Sequence, residues 1–249
     1  MDMNSDHPTG LRERQKLKRR ARILNAAHDL IRATGSAGFS MRSVAERAEL
    51  SLGTVYNFFG SKGALLHGLM LTMVENLETE MDRLSRKEPL QTLLTLAETA
   101  ARHYAADPDF HRVLLRAALG SSEAGDNRFE MGPSVKLYRR PIEAAIADGQ
   151  LRSDVDAEVI AGSLTTTFFG SLVLWAREAI DGEELHYQVL YAFSAVLLAS
   201  CTEKSRAGLL AAQRRYQRHL TSLRNRRAAS DPRAAGTLNQ RSWPRGTVP

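Results

Sequence analysis

The chain is poor in the residues that mark disulfide-stapled or metal-bound folds. It has one cysteine, Cys201, among 249 residues, so it cannot form an intrachain disulfide, and no Cys or His cluster at ligand spacing surrounds that residue. A single thiol fits the reducing cytoplasm, and we interpret Cys201 as a buried core residue, with a redox sensor as the alternative. We therefore predict a cytoplasmic protein that binds no metal and no cofactor.

The sequence also lacks the short motifs of common catalytic sites. It has no glycine-rich phosphate loop, no His-Glu-x-x-His pair and no nucleophile elbow, and its seven histidines are scattered. Catalytic residues can converge from distant positions, so a helical enzyme stays open as an alternative. We expect no secretory leader, and no membrane span because charged residues interrupt the apolar stretches well before 18 positions.

Two short helical patterns joined by a four-residue turn lie within residues 40–59. Ser40 and Ser51 can each cap a helix, because a serine hydroxyl accepts a hydrogen bond from an orphan backbone N–H. Upstream, residues 20–34 have the apolar spacing of a third helix, which ends at Gly35. The apolar positions that would share one core are Ile23, Ala27, Leu30, Ile31, Val44, Ala45, Ala48 and Val55. This arrangement is typical of a helix-turn-helix, whose second helix enters the major groove of DNA.

Residues 22–66 resemble the DNA-binding domain of the tetracycline-repressor (TetR) family of transcriptional regulators. The resemblance is carried by the helix-turn-helix and by Phe39, Thr54, Val55, Tyr56, Phe59, Lys62 and Leu65. Two residues depart from the family pattern: Glu49 stands where a turn glycine is usual, and Phe58 stands where His or Tyr is common. A non-glycine residue in a left-handed turn costs roughly 1 kcal/mol, so we expect Glu49 to lower local stability without excluding the motif.

The resemblance implies which side chains would contact DNA. Tyr56 and Lys62 would hold phosphates, while Arg42, Gly53 and Thr54 would lie nearest to the base edges. An ammonium and a phenol suit phosphate oxygens, and arginine can bind guanine bidentately. As alternatives, Tyr56 covers the edge of the core, Lys62 is simply solvated, and Arg42 pairs with Glu46 one helical turn on. The full candidate set is Arg42, Ser51, Leu52, Gly53, Thr54, Tyr56, Asn57 and Lys62.

The net charge of +6 is spread unevenly along the chain. Residues 1–22 sum to +4, residues 203–249 sum to +9, and the 180 residues between them sum to −7. We predict that the N-terminal arm reaches DNA phosphates or the minor groove, with a solvated leader as the alternative. The C-terminal stretch has the pattern of a basic amphipathic helix, and it could bind DNA, its own acidic body or an anionic membrane, or stay solvated.

A larger helical domain is predicted after the motif. Its helices cover residues 62–86, 90–106, a short stretch around 110–115, 134–148, 157–180 and 184–200, with a loop at 120–133. The last two helices are apolar on most sides and must be buried on most sides. The resemblance implies that they pack against a second copy as a four-helix interface, and the alternative is that both lie inside a monomer's core. The interface candidates are Leu164, Phe168, Leu172, Phe193, Val196 and Leu197.

The resemblance also implies a cavity in this larger domain for a small molecule. Its occupancy would change the spacing of the two DNA-reading heads, so that ligand and DNA affinities are reciprocally coupled. Pockets between helices are mostly apolar with a few polar groups, and each candidate could equally be plain core. The candidates are His103, Tyr104, Phe110, Tyr138, Phe168 and Trp175.

Taken together, these patterns predict an all-α protein of two domains and two basic ends. The ranges are a basic arm at 1–19, a three-helix helix-turn-helix domain at 20–66, a ligand-binding and dimerisation domain at 67–202, and a basic extension at 203–249 that is helical to about 227 and then disordered. The predicted function is a sequence-specific, ligand-responsive transcriptional regulator that binds double-stranded DNA as a homodimer at a near-palindromic operator. By analogy with the family it is a repressor. A protein-interaction module that kept the helix-turn-helix fold is the other alternative.

Overall fold

The computed structural model describes residues 8–84, 88–120 and 132–230, and these residues form ten α-helices and no β-strand. The helices are α1 (Pro8–Thr34), α2 (Met41–Arg47), α3 (Leu52–Phe59), α4 (Lys62–Leu84), α5 (Pro89–Ala106), α6 (Pro108–Gly120), α7 (Gly132–Ala147), α8 (Ala157–Ala176), α9 (Gly182–Ser200) and α10 (Glu203–Ser230). The predicted all-α class is confirmed. Residues 121–131 of the predicted loop and the predicted disordered end, residues 231–249, lie outside the described residues.

The first three helices share a small core with the start of α4. Ile23, Val44 and Val55 are completely buried there. Gly35 after α1 and Gly60 after α3 have φ angles of +61° and +69°, a left-handed conformation that glycine adopts without steric penalty. Each helix therefore ends at a residue suited to stop it, and the compact unit holds α2 and α3 in fixed orientation.

Helix α1 begins at Pro8, well before the predicted start at residue 20. Residues 11–20 are all Leu, Arg, Lys, Glu or Gln, which are strong helix formers, so no residue stops the helix from extending toward the N-terminus. The side chains of residues 10–19 are all exposed. The predicted basic arm is thus, from residue 8 onward, the projecting first turns of α1, and residues 1–7 lie outside the described residues.

A second core lies between α5, α7, α8 and α9. Leu93, Ile142, Trp175 and Phe193, one from each of these helices, are completely buried. Helix α4 starts in the first core and continues along the second, so it connects the helix-turn-helix to the larger unit. Helix α10 lies along α9 and covers its outer side.

Helix α8 corrects two expectations. It contains 18 uncharged residues, Val159 to Ala176, and within the described ranges it is the helix long and apolar enough to cross a membrane. The prediction that charged residues interrupt every apolar stretch before 18 positions is therefore wrong. Half of this stretch is buried inside the fold, which is the packing of a core helix. It also ends at Ala176 instead of residue 180, because Arg116 Nε donates to the Ala176 carbonyl at 2.6 Å and Glu178 has a left-handed φ of +61°.

The lone cysteine sits at the end of the second core. Cys201 is buried, its thiol donates to the Leu198 carbonyl at 3.3 Å, and its backbone forms an isolated bridge with Leu151. These contacts give Cys201 a packing role at the junction of α9 and α10.

Candidate functional site

Helix α3 turns one face to the core and the opposite face to solvent. Val55 is completely buried, whereas Gly53 and Asn57 are exposed and Tyr56 is 47% exposed. A Cβ atom added at Gly53 would meet nothing within 4 Å, and the backbone there is not left-handed. The fold therefore does not require glycine at position 53. A macromolecule that approaches the helix backbone closely would require it, because any side chain there would stand in the way.

The side chains of two other α3 candidates, Ser51 and Thr54, form hydrogen bonds within the helix. The Ser51 hydroxyl accepts from the Thr54 backbone N–H at 3.1 Å and lies 2.8 Å from the Thr54 hydroxyl. These bonds cap the helix, as predicted for Ser51, and orient both side chains. Leu52 is half-buried and packs against the core, so its side chain is only partly available at the surface.

The two basic candidates differ in their surroundings. Lys62, at the start of α4, is half-buried, and its Nζ lies 4.7 Å from the centroid of the Phe39 ring, a cation–π contact that fixes the ammonium next to α3. Arg42 is exposed on α2, and in the described part of the chain it forms no ion pair, the alternative pair with Glu46 included. Its guanidinium is therefore open to a partner outside the chain.

The turn between α2 and α3 carries the strain expected of its glutamate. Glu49 has a left-handed φ of +51°. Arg22 of α1 donates to the Ala48 carbonyl at 2.6 Å and to the Glu49 carboxylate at 3.1 Å. One arginine thus ties α1 to the turn that sets the position of α3. Sequence analysis missed this contact, because residues 27 positions apart leave no local signal.

A small cavity, here called the core cavity, lies between α4, α5, α7 and α8, with a volume of about 60 Å³. Three of the predicted pocket residues, Tyr104, Tyr138 and Phe168, line it. Trp175 instead lies in the packed core, with the Arg112 guanidinium 5.0 Å from its ring centroid. The lining residues that sequence analysis missed include His67, Met70, Met73, Leu137, Thr165 and Leu172.

A larger cavity of about 260 Å³, here called the hinge cavity, lies where α1 meets α4, α5 and α6. It contains the predicted residues His103 and Phe110, together with His28 and His111, which sequence analysis missed. The ring centroids of His28 and Phe110 are 4.4 Å apart, and those of His103 and His111 are 4.9 Å apart. Scattered histidines gave no periodic signal, so only the fold brings them together.

Burial shifts the pKa values of four groups in these cavities, His103, Tyr104, His111 and Tyr138, toward the neutral form. Burial lowers the pKa of His111 to about 4, with nearby His103 adding to the shift. Burial also lowers the pKa of His103, raises the pKa of Tyr104 to about 12 and raises the pKa of Tyr138. His111 Nδ1 lies 3.0 Å from the Asp107 carbonyl oxygen; a carbonyl only accepts, so Nδ1 carries the proton and Nε2 is left as an acceptor.

The predicted dimer residues face the chain's own core. Leu164, Phe168, Leu172, Phe193 and Leu197 are buried, and Val196 is half-buried. Within this chain, the large side chains of these helices fill the second core, and mostly smaller residues remain outside. A contact of the six candidates with a second copy stays a prediction. The exposed stripe of α8, at helical spacing, consists of Val159, Ser163, Thr166, Gly170 and Leu174.

Comparison with known proteins agrees with this architecture. Residues 23–69 match the profile of the family described as "Bacterial regulatory proteins, tetR family". The chain is 33% identical over 184 residues to the HTH-type transcriptional regulator BetI of Paraburkholderia xenovorans, covering 66% of this chain and 84% of that protein. It is 27% identical over 158 residues to the HTH-type transcriptional repressor KstR of Rhodococcus jostii, covering 64% and 73%. The crystal structure of Thermus thermophilus FadR in complex with lauroyl-CoA has the same fold, with a TM-score of 0.62, 24% identity, and coverage of 74% of this chain and 96% of that one.

Proposed function

This chain belongs to the TetR family of bacterial regulatory proteins, and we propose that it is a repressor that binds operator DNA through α3 and leaves it when a small molecule enters the larger domain. It is a DNA-binding transcriptional regulator, like its relatives. We assign DNA binding to residues 20–66, and ligand binding and dimerisation to residues 67–202. The protein acts in the cytoplasm, where its operator is.

The observation that carries the proposal is the bare backbone at Gly53. Alanine would fit there and would favour the helix by about 1 kcal/mol, yet the chain has glycine at the exposed start of α3. Close approach of α3 to a base pair explains this choice. Tyr56 and Lys62 then hold phosphates on either side, and Arg42 reaches a base edge.

A homodimer supplies the second reading head. The exposed α8 stripe combines Val159 and Leu174, which are 65% and 47% exposed, with small residues between them. Small side chains let two copies of a helix approach closely, and the apolar ends supply buried area. A two-fold axis through this stripe would place the two α3 helices on successive major grooves of a near-palindromic operator.

The test is fluorescence anisotropy of the purified protein on DNA from its own upstream region, with scrambled DNA as the reference, across a salt series. We expect a preference of roughly a thousandfold or more for the operator. Gly53→Ala should lose about 1–3 kcal/mol of specific binding without lowering the thermal unfolding midpoint.

Gly208→Ala is the matched control, because it makes the same change on an exposed helical position of α10 where a Cβ also meets nothing. It should leave operator binding unchanged. Full operator affinity of the Gly53→Ala protein would show that α3 does not approach DNA closely. Absence of any DNA binding by the wild-type protein would favour the protein-interaction module.

A further inference from the structure

The core cavity and the hinge cavity share a wall. Met70, Met73 and Tyr104 line both of them. Methionine side chains are unbranched and adapt readily to a new neighbour, so rotamer changes alone can open this wall. Each cavity is smaller than the roughly 300 Å³ at which small-molecule pockets begin, and only together do they reach that size.

The two cavities differ in chemistry. The core cavity is lined mainly by Leu, Met, Val and Phe side chains, and its polar members are His67, Tyr104, Ser134, Tyr138 and Thr165. The hinge cavity adds polar groups, namely His28, Thr72, Asn76, His103, Asp107 and His111. A site that joins them has an apolar end and a hydrogen-bonding end, which is the pattern of an amphipathic ligand.

The hydrogen-bonding end disfavours a negatively charged ligand group. Asp107, the carboxylate in this wall, is ion-paired with Arg32 of α1. His111 and His103 are neutral, and the Nε2 of His111 is an acceptor. A ligand carboxylate would lose its hydration here and lie near the Asp107 carboxylate, whose ion pair already engages Arg32, and this disfavours it. A hydroxyl could donate to the imidazole at little desolvation penalty.

From these contacts we propose that the two cavities form one elongated site for an uncharged amphiphile, with its apolar body in the core cavity and its hydroxyl donating to His111 in the hinge cavity. This inference rests on the proposed function for the role of the ligand. It specifies the ligand's chemical class, and it places the ligand's polar end against α1, the first helix of the DNA-binding unit.

The first experiment compares three ten-carbon probes on the wild-type protein by isothermal titration calorimetry, without DNA. The probes are 1-decanol, its isomer methyl nonyl ether, which has no O–H to donate, and decanoic acid at pH 7. We expect 1-decanol to bind about two- to tenfold more tightly than either of the others, which is the factor that one net hydrogen bond contributes. Tighter binding of the acid, or equal binding of the ether, would overturn the hydroxyl assignment.

The second experiment locates the two ends of the ligand. His111→Leu should abolish the preference for alcohol over ether, whereas the control His219→Leu, a matched change on α10, should keep it. In the wild type we expect the binding affinity to rise about fourfold for each CH₂ added between 1-hexanol and 1-decanol. Leu172→Trp fills only the core cavity and should abolish this rise in affinity. An undiminished chain-length gain in Leu172→Trp would show that the cavities do not form one site.

The wild-type comparison needs no variant to fold, and far-UV circular dichroism checks the variants. Release of the protein from operator DNA by 1-decanol is measured in a separate experiment. If 1-decanol binds as predicted and the DNA complex persists, the proposed ligand response fails and this inference stands. If operator binding is specific and no probe binds, this inference fails and the DNA-binding function stands.

Discussion

The two basic ends of the chain are alike in composition and opposite in structure. In the projecting half of α1, residues 10–19 are all exposed, and Lys16 and Lys18 have no ion-pair partner among the described residues. In α10, Arg224 and Arg227 face Glu184, and Arg226 faces Glu183. Lys16 and Lys18 are thus available to a partner, whereas Arg224, Arg226 and Arg227 are already paired with acidic residues of the same chain.

The difference shows that net charge alone does not identify a nucleic-acid surface. What decides is where the opposite charges lie in the fold. Of the readings that the sequence left open for the C-terminal stretch, the structure supports attachment to its own body, because α10 also buries Leu209, Tyr216 and Leu220. The N-terminal stretch, by contrast, has no such apolar anchor, because the side chains of residues 10–19 are all exposed.

The largest contrast should come from removing each end. Deletion of residues 203–249 should destabilise the fold by several kcal/mol, because full burial of each large side chain such as Leu209 contributes about 1.5–3 kcal/mol. Deletion of residues 1–19 should leave the thermal unfolding midpoint nearly unchanged and weaken DNA binding. Calorimetric unfolding of the two truncated proteins measures this, and equal midpoints would contradict the comparison.

Charge neutralisation sharpens the same comparison without removing a helix. Lys16→Ala combined with Lys18→Ala should lower the slope of log affinity against log salt by about 1.8, if each lysine releases one counterion from B-DNA. The matched pair is Arg214→Ala with Arg218→Ala, on the exposed face of α10. That pair should leave the slope unchanged; a loss of slope there as large as for the lysines would mean that α10 also contacts DNA.

A smaller effect is expected at Arg22, the α1 arginine that is already engaged. Arg22→Ala should destabilise the fold by about 1 kcal/mol, since it leaves the Ala48 carbonyl and the Glu49 carboxylate without this donor. In a Glu49→Gly background the same change should be less costly, because the ion pair is already absent and the left-handed turn is relaxed. Chemical denaturation of the four proteins in this cycle measures the coupling, and strict additivity would rule out the pair as a stabilising contact.

The smallest change in stability is expected from neutralising Glu184 or Glu75, the acidic partners of arginines in α10 and α1. Glu184 is 8% exposed and Glu75, the partner of Arg20 across 3.2 Å, has a side chain that is 54% exposed. Glu184→Gln should destabilise the fold by up to about 1 kcal/mol and Glu75→Gln by less, because solvent screens an exposed pair. Thermal unfolding at low and high salt separates the two, and only the Glu75 pair should be strongly salt-sensitive.

Local sequence signals predicted the parts of the fold that local forces determine. Serine caps at Ser40 and Ser51 and left-handed glycines at Gly35 and Gly149 mark helix ends in the sequence and in the structure. The start of α1 could not be located in this way, since its first turns carry no stop signal. The contact of Arg22 with the turn depends on packing between distant segments, which no single window of sequence contains.

The orientation of the most apolar helices was also beyond sequence analysis. A helix such as α8, which has apolar residues on most sides, does not show which side meets its own chain. Packing decides that Leu164 and Leu172 lie inside, while Val159 and Leu174 lie outside. For the same reason Trp175 was predicted to line a pocket, and His28 and His111 were missed, because a cavity wall is assembled from four helices at once.

The position of α10 has a genetic consequence. The ribosome synthesises α10 after α9, the helix that α10 covers. The side of α9 that packs against α10 therefore stays exposed to solvent until late in synthesis. A stop codon or frameshift just after codon 202 would leave that side permanently uncovered, and the shortened product would be removed by proteolysis or aggregation. In a selection for mutants with constitutive expression, such alleles would behave as recessive nulls, indistinguishable from a deletion of the whole gene.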